Sequence, residues 1–275
     1  MKAIWDLLRL EHGFMYGIAV IIGIIVSSGG LDLNKAILGF LTAVFCQASS
    51  FALNDYIDYE VDLKNKRFDR PLVRGDLKRK HALIIAILIA PFGFIFAYLI
   101  SLQAFIFALA ITILGYIYDI KLKEFGIIGN VYIAFTMCVP FLFGGIISGG
   151  INVQIATLSL LAFLSGLGRE IMKGIEDMEG DALRGVKSVA RLKGADFAYK
   201  LSASLIFLAV LLSFLPVIHY GFDPFYIIPV TLADILFLKT VLSLLKFERD
   251  IGKLRKITLL AMGFGLIGFL LGAIF

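Results

Sequence analysis

Nine long apolar stretches constrain the fold of this 275-residue chain more than any other feature. About 20 helical residues cross a hydrocarbon core about 30 Å thick, and each stretch approaches that length. Because 60% of the residues are hydrophobic and only 17% are charged, the chain cannot cover a soluble domain with polar surface. The sequence therefore predicts an all-α membrane protein with nine transmembrane helices, forming one domain, 1–275, around a central cavity. The predicted spans are 13–28, 36–53, 82–101, 103–118, 127–147, 153–171, 199–219, 225–245 and 254–275.

The basic residues predict how these helices are oriented. All of the 26 Lys and Arg residues except Lys35 fall on the same side when successive spans alternate in direction. Basic residues accumulate in the cytoplasmic connections of membrane proteins. We therefore predict a multi-pass protein of the cell membrane, in contact with membrane lipid, with a cytoplasmic N-terminus and an outward C-terminus. This topology explains the net charge of +5, and we expect no nucleic-acid partner.

Two long connections on the predicted cytoplasmic side, 54–81 and 172–198, each begin with a dense acidic segment. The first segment contains Asn54, Asp55, Asp58 and Asp62. If the preceding span continues as a helix past Leu53, its three carboxylates fall within about 60° of one another. Such carboxylates repel one another unless a cation neutralises them, and oxygen ligands of this kind suit Mg²⁺. The alternative is a solvated acidic loop neutralised by the basic residues Lys64, Lys66 and Arg67.

The second acidic segment contains Asp177 and Asp181, which are four residues apart. Arg169 and Lys173 precede them at the same spacing, so a continuous helix would alternate basic and acidic side chains along one stripe. This arrangement can hold phosphate oxygens both through a metal ion and by direct contact with cations. A ladder of salt bridges is the structural alternative, but charged residues in membrane spans more often line a polar cavity. We therefore predict that the cavity opens to the cytoplasmic side.

These residues resemble the signature of the UbiA superfamily of intramembrane prenyltransferases. The resemblance rests on the two acidic segments, in this order and on the same side, together with the nine-helix layout. The matching residues are Asn54, Asp55, Asp58, Asp62, Asn65, Arg70, Pro71, Leu72, Asp177, Asp181 and the segment 185–188.

The resemblance implies that these residues bind Mg²⁺ and a prenyl diphosphate donor, whose diphosphate departs and leaves an allylic cation for an acceptor. The implied catalytic and metal-binding residues are Asp55, Asp58, Asp62, Asp177 and Asp181. The implied substrate-binding residues are Asn54, Arg67, Arg70, Tyr118, Lys121, Lys123, Arg169 and Lys173. A Tyr and a Lys contact the diphosphate in the superfamily, and here Tyr118 is paired with either Lys121 or Lys123.

The segment 168–181 is similar to the archaeal ether-lipid branch of the superfamily. This similarity implies Mg-dependent transfer of a geranylgeranyl group from geranylgeranyl diphosphate to geranylgeranylglyceryl phosphate, a lipid-phosphate acceptor. An acceptor with its own phosphate would account for additional cations such as Arg169, Lys173 and Lys123. Two alternatives stay open. An aromatic-acceptor prenyltransferase of quinone biosynthesis needs fewer cations, and a transporter of an anionic metabolite would place polar residues near the bilayer midplane.

Overall fold

The computed structural model describes residues 2–183, 185–220 and 224–274, without the side chains of residues 179, 181, 183, 219 and 220. Within these residues all regular structure is helical. The helices are α1 (Lys2–Leu8), α2 (Leu10–Ser28), α3 (Leu33–Lys64), α4 (Pro71–Arg74), α5 (Arg79–Ile100), α6 (Leu102–Ile120), α7 (Ile127–Ser148), α8 (Val153–Glu176), α9 (Met178–Leu183), α10 (Val189–Lys193), α11 (Ala195–Leu212), α12 (Leu215–Tyr220), α13 (Pro224–Leu245) and α14 (Ile251–Ile274). A short 3-10 helix, Leu122–Phe125, connects α6 to α7.

In the described part of the chain, nine helical segments are long and apolar enough to cross a membrane, which confirms the predicted architecture. They are α2, α3, α5, α6, α7, α8, the segment Ala195–Ile218 that contains α11, α13 and α14. The main difference concerns α3, which continues through the first acidic segment to Lys64 instead of ending at Leu53. The predicted connection 54–81 therefore begins as helix. The predicted common face of the three carboxylates required this continuation past Leu53.

The seventh span, predicted as one helix over 199–219, is interrupted. α11 ends at Leu212 and α12 begins at Leu215. Neighbouring side chains bond to polar groups at this break: Tyr226 Oη donates to the Ser213 carbonyl at 2.8 Å, and the Ser213 hydroxyl lies 2.8 Å from Asp234 Oδ2. Polar groups inside a membrane need such partners because no water is present there. Asp234, an acidic residue within α13, therefore supports the break.

Small residues allow the helices around the cavity to pack closely. α2 crosses α7 where Gly23 faces Gly144, and a Cβ atom on Gly144 would lie 2.2 Å from the Val20 carbonyl oxygen. A larger residue would force the two helices apart, which fits the close packing through which membrane helices associate. This crossing holds two walls of the cavity together.

The last three spans support α8 from the side away from the cavity. One hydrophobic cluster joins them to α8, and its fully buried members include Met172, Ile206, Leu244 and Leu254. The described residues that line the large cavity come instead from α2, α3, α6, α7, α8 and the adjoining connections. The cavity is thus built by five of the nine spans.

Candidate active site

One cavity of about 990 Å³ extends between the five lining spans. Its polar end is formed by the C-terminal parts of α3, α6 and α8 and by the residues that follow α1 and α3. Its apolar end is lined by residues such as Phe107 of α6 and Val139 and Phe143 of α7. A cavity of this kind suits a ligand with a charged head and a hydrocarbon tail.

The first acidic segment holds Asp55 against two arginines. Asp55 is 2% exposed, and its Oδ1 atom accepts a hydrogen bond from Arg9 Nη2 at 2.6 Å and lies 3.5 Å from Arg70 Nη1. Arg70 Nε lies 3.7 Å from Asp62 Oδ2, so one guanidinium group bridges two carboxylates of the segment. Arg9, Arg70 and Asp62 line the cavity, whereas Asp55 lies behind them. This geometry favours Asp55 as the anchor of two cations, and its role as a metal ligand stays a prediction.

Arg9 reaches the site because it lies between two helices, after α1 ends and before α2 begins. Its backbone is left-handed, with φ 46° and ψ 53°. Its guanidinium group lies 4.3 Å from the centre of the Phe51 ring, a cation–π contact. Burial lowers the pKa of Arg9 and the charge of Arg70 lowers it further, while Asp55 opposes both effects. Arg9 and Arg70 therefore bring two guanidinium groups to the cavity, and the carboxylate of Asp55 holds both in place.

Asp58, the middle carboxylate of the segment, has different partners. Asn54 Nδ2 donates to Asp58 Oδ2 at 3.0 Å and to Asp119 Oδ1 of α6 at 2.8 Å. Lys123 forms an ion pair with Asp58 Oδ1. These four side chains all line the cavity. The Asn54 amide therefore ties the acidic face of α3 to the end of α6.

The structure separates the two lysines that follow the fourth span. α6 ends at Ile120, and the 3-10 helix changes the direction of the chain. Lys123 then lines the cavity, whereas Lys121 is exposed and lies outside the lining. Of the two candidates for the diphosphate contact, only Lys123 lines the cavity, and the contact itself stays a prediction. Tyr118 also lines the cavity, and its ring stacks on Tyr132 with centroids 4.7 Å apart.

The second acidic segment departs from the predicted continuous stripe. α8 ends at Glu176, Asp177 is its C-cap residue, and the separate helix α9 follows. Arg169, Lys173 and Asp177 all line the cavity. The predicted stripe therefore extends along α8 through Arg169 and Lys173 to the C-cap Asp177, and it does not continue as one helix to Asp181. The side chain of Asp181 lies outside the described residues, and its role stays a prediction.

Glu170 lies between the two basic residues of α8. It is 8% exposed, and its Oε1 atom lies 3.3 Å from Arg169 Nη1. Its Oε2 atom lies 3.9 Å from Lys173 Nζ, too far for a hydrogen bond, and the Lys173 side chain is 40% exposed. Lys173 is therefore less firmly engaged than Arg9 or Lys123 and is available to a ligand.

The segment 185–188 closes one side of the polar end. Gly126, which precedes α7, has a positive φ of 54°, and a Cβ atom there would lie 1.8 Å from the Lys187 carbonyl oxygen. The segment therefore packs directly on a position that only glycine can occupy. Ser188 is 4% exposed and lines the cavity, and its hydroxyl group has no hydrogen-bond partner among the described residues. That buried hydroxyl group therefore has unused hydrogen-bonding capacity beside the cavity.

Arg67 lines the cavity and is held by Asp69 through a two-point contact. Both N–O distances are 2.9 Å. The contact lowers the pKa of Asp69 to about 2 and raises the pKa of Arg67. Both groups are therefore charged at neutral pH, and the guanidinium group has a fixed position at the polar end.

The cavity offers the right chemistry for a divalent metal ion without a preformed metal site. Asp58, Asp62 and Asp177 bring carboxylate oxygens to one cavity, and such oxygens are the ligands that Mg²⁺ prefers. Among the described residues, no three His, Cys, Asp or Glu side chains are gathered closely enough to hold a metal ion. The carboxylates of α3 are paired with basic side chains instead. The residues therefore fit a metal that arrives with an anionic ligand, because Lys123 and Arg70 can then move from carboxylate to ligand.

Sequence reasoning misses two residues of the polar end. From the sequence, Arg9 is only one of the basic residues that orient the helices. No local pattern links it to its partner Asp55, which is 46 residues away. Asp119 is missed although a signal exists, since an acidic residue within an apolar span is unusual and is a functional candidate by default. The polar end is therefore richer in charge than the motifs alone indicate.

Comparison with protein families identifies the group to which the chain belongs. A sequence model of the UbiA prenyltransferase family matches residues 16–264. The chain belongs to this family. The UbiA match includes both acidic segments, and the protein is therefore a prenyltransferase, as predicted.

Several UbiA relatives match over almost their full length. The chain is 58% identical to digeranylgeranylglyceryl phosphate synthase of Archaeoglobus fulgidus, with 99% of this chain and 96% of the relative covered. It is 35% identical to the protein of the same name from Methanocaldococcus jannaschii, with 100% and 97% covered. The predicted similarity to the archaeal ether-lipid branch is confirmed.

Solved structures share the UbiA fold. A structure described as giving structural and mechanistic insights into the biosynthesis of digeranylgeranylglyceryl phosphate synthase in membranes aligns with a TM-score of 0.77 at 34% identity, covering 99% of this chain and 98% of that one. A UbiA homologue from Archaeoglobus fulgidus bound to GPP and Mg²⁺ aligns with a TM-score of 0.68 at 20% identity, covering 97% and 98%. At the lower identity the likeness shows the fold alone.

Proposed function

We propose that this protein transfers a geranylgeranyl group from geranylgeranyl diphosphate to geranylgeranylglyceryl phosphate, with Mg²⁺ as cofactor. Relatives named for the synthesis of the doubly alkylated product match nearly the whole chain. Within this chain, the observation that carries the proposal is that two separate basic groups line one cavity. Lys123 and Arg70 lie at the acidic face of α3. Arg169 and Lys173 lie on α8.

Two basic groups match a reaction between two phosphate-bearing substrates. The donor carries a diphosphate, and the acceptor carries a phosphate in addition to the hydroxyl that reacts. We assign Lys123, Arg70 and Arg67 to the donor diphosphate because they lie beside the α3 carboxylates. The acceptor phosphate is assigned to Lys173 and Arg169, whose charge-assisted hydrogen bonds suit phosphate oxygens. An aromatic acceptor would leave this second group without a ligand.

The α3 and α8 carboxylates would hold the metal ion. Asp58, Asp62 and Asp177 are the ligands that line the cavity, and Asn54 keeps Asp58 in place through its hydrogen bond of 3.0 Å. When bound, Mg²⁺ neutralises the diphosphate and stabilises the negative charge that develops on it as it leaves. Lys123 donates to diphosphate oxygens once its contact with Asp58 opens.

Transfer breaks the bond between the first prenyl carbon and the diphosphate oxygen, and the diphosphate takes the bonding electrons. The stacked rings of Tyr118 and Tyr132 in the cavity wall present π faces that favour the allylic cation. The acceptor hydroxyl oxygen then forms the new ether bond with the prenyl carbon, and its proton passes to the departing diphosphate. The apolar end of the cavity keeps the prenyl tail away from water.

The proposal includes the location of the protein, as one catalytic domain in the cell membrane with the polar end facing the cytoplasm. This orientation is supported by the basic residues, which are concentrated in the connections at the polar end. Both substrates are lipids with charged head groups. They can therefore enter from the cytoplasmic leaflet with their heads at the polar end.

Product analysis tests the proposed function. Purified protein receives geranylgeranyl diphosphate, Mg²⁺ and a mixed pool of geranylgeranylglyceryl phosphate and aromatic acids, and mass spectrometry identifies the products. We expect the doubly alkylated glyceryl phosphate, with one diphosphate released per product. A prenylated aromatic acid as the main product would support the quinone-type alternative. No prenylated product from any acceptor in the pool would contradict the proposed function.

The assignment of Lys173 to the acceptor gives a quantitative prediction. Lys173→Met removes a charge-assisted contact worth about 1.5–3 kcal/mol. The KM for geranylgeranylglyceryl phosphate should therefore rise about tenfold or more, while the donor KM changes much less. Lys193→Met is the control, because Lys193 is exposed and lies outside the cavity lining. An effect on the donor KM alone would contradict the acceptor assignment.

A further inference from the structure

One aromatic ring lies at the apolar end of the cavity and also lines a second cavity. Phe107 of α6 lines the main cavity and also a second cavity of about 490 Å³. The second cavity is lined by Leu102, Gln103, Ile106, Phe107, Ala110 and Ile146. Among the described residues, Phe107 is the one common to both linings. Its ring therefore lies where the two linings meet, and it is called the wall below.

Stacking gives this wall a defined position. The rings of Phe107 and Phe143 stack with centroids 5.7 Å apart and 15° between their planes. Phe143 is 4% exposed and belongs to a buried cluster that also contains Val20 and Ile24 of α2. Aromatic pairs favour particular arrangements beyond their area of contact. The ring of Phe107 therefore rests against a partner that is itself fixed in the core.

The wall lies at a definite distance from the polar end. Along α6, Asp119 and Phe107 are separated by a rise of about 18 Å, and along α7, Asn130 and Phe143 are separated by about 20 Å. An extended chain of four isoprene units has a comparable length. A geranylgeranyl tail with its diphosphate at Lys123 would therefore end at this wall.

We propose that Phe107 sets the maximum length of the prenyl donor, and that the second cavity receives the end of a longer tail once this ring is removed. The inference rests on the proposed function, since it takes a prenyl tail as the occupant of the apolar end. Leu102 and Ile106 in the second cavity are 61% and 56% exposed. A tail that passes the wall thus meets apolar surface that continues to the lipid.

Donor binding tests this inference without the acceptor. Equilibrium binding of diphosphates with four and five isoprene units is measured in the presence of Mg²⁺ for the wild type and for Phe107→Ala. We expect the wild type to prefer the four-unit donor. The variant should shift the affinity ratio toward the five-unit donor by about tenfold or more, as when a pocket gains room for additional carbons. Phe107→Leu keeps more of the packing and should give an intermediate ratio.

Phe105→Ala is the matched control on the same helix. Phe105 contacts Phe94 and Tyr98 at centroid distances of 6.3 and 6.0 Å, and it lines neither cavity. Its replacement should leave the affinity ratio unchanged. If both Phe107 variants bind donors with the wild-type ratio, the length limit lies elsewhere and the inference is wrong. If the wild type binds no prenyl diphosphate, the proposed function fails and this inference fails with it.

Discussion

The two acidic segments differ in how firmly the protein holds them. On α3, Asp55, Asp58 and Asp62 each contact a basic side chain from another part of the sequence. At the end of α8, the Asp177 carboxylate makes no hydrogen bond or ion pair with the residues that the structure describes. The first segment is therefore arranged before a substrate binds, whereas the Asp177 side chain can adjust to the substrate. Held carboxylates on α3 and an adjustable carboxylate at the end of α8 suit a reaction in which negative charge develops on a departing diphosphate.

The largest expected effect comes from removing the anchor of the first segment. Asp55→Ala leaves Arg9 and Arg70 without their shared carboxylate, and loss of one partner from a buried pair lowers the free energy of unfolding by about 3–5 kcal/mol. Asp177→Ala should lower it by no more than about 0.5 kcal/mol. Thermal unfolding of the purified variants in detergent measures both changes. Equal shifts in Tm would show that the two segments are held alike.

Turnover should nevertheless depend on both segments. Asp58→Asn and Asp177→Asn each remove a carboxylate charge proposed to hold the metal ion that stabilises the departing diphosphate. We therefore expect kcat to fall by about 100-fold to 1000-fold. The measurement is diphosphate release at saturating Mg²⁺ and donor. Glu60→Gln serves as the control, since Glu60 is an exposed carboxylate of α3 that pairs with Arg79 outside the cavity lining. Near-normal turnover in both Asn variants would rule out the two-segment mechanism.

Lys123 and Lys121 are a matched pair for testing which cation at the first segment contacts the donor. Lys123→Met removes a cation beside Asp58, and loss of a contact worth about 1.5–3 kcal/mol should lower kcat/KM for the donor by about tenfold to a hundredfold. Lys121→Met should behave like the wild type, because that side chain is exposed away from the cavity. Steady-state kinetics with varied donor would measure both, and a similar loss in the two variants would contradict the placement of Lys123.

The smallest expected effect is a pH dependence at the edge of the first segment. The Arg67 contact lowers the pKa of Asp69 to about 2, from an unfolded value of about 3.9. Its contribution to stability is therefore present above about pH 4 and is lost as the pH falls through about 2. Because the Asp69 side chain is 58% exposed, we expect at most about 1 kcal/mol. Asp69→Asn should lower Tm slightly at pH 7 and have no effect below about pH 2; a difference that persists there would have another cause.

Sequence reasoning succeeds where the geometry of one helix decides the outcome. The nine spans follow from apolar length, and the shared face of α3 follows from helical periodicity once the helix continues past Leu53. It fails where a contact joins distant parts of the chain. Arg9 and Asp55 are 46 residues apart, and Asn54 and Asp119 are 65 residues apart. No local pattern encodes these contacts, because they depend on how the spans pack.

Local changes of direction are the second limit of prediction from sequence. The spacing of Asp177 and Asp181 suggests one helical stripe, but α8 ends at Glu176 and a new helix begins at Met178. The choice between Lys121 and Lys123 depends in the same way on a short 3-10 helix after α6. A change of helix type over a few residues turns side chains to other faces. Helical periodicity therefore predicts where such residues lie in the sequence, but not which face of the structure their side chains occupy.

Gly126 gives the entrance of the cavity a property that no charged residue supplies. The segment 185–188 rests on a position without a side chain, where even a methyl group would lie 1.8 Å from the Lys187 carbonyl oxygen. Two loops from different halves of the chain therefore meet there through direct backbone contact. Gly126→Ala would force the two segments apart, because this contact leaves no room for a methyl group. The shape of the entrance thus depends on a residue that has no side chain at all.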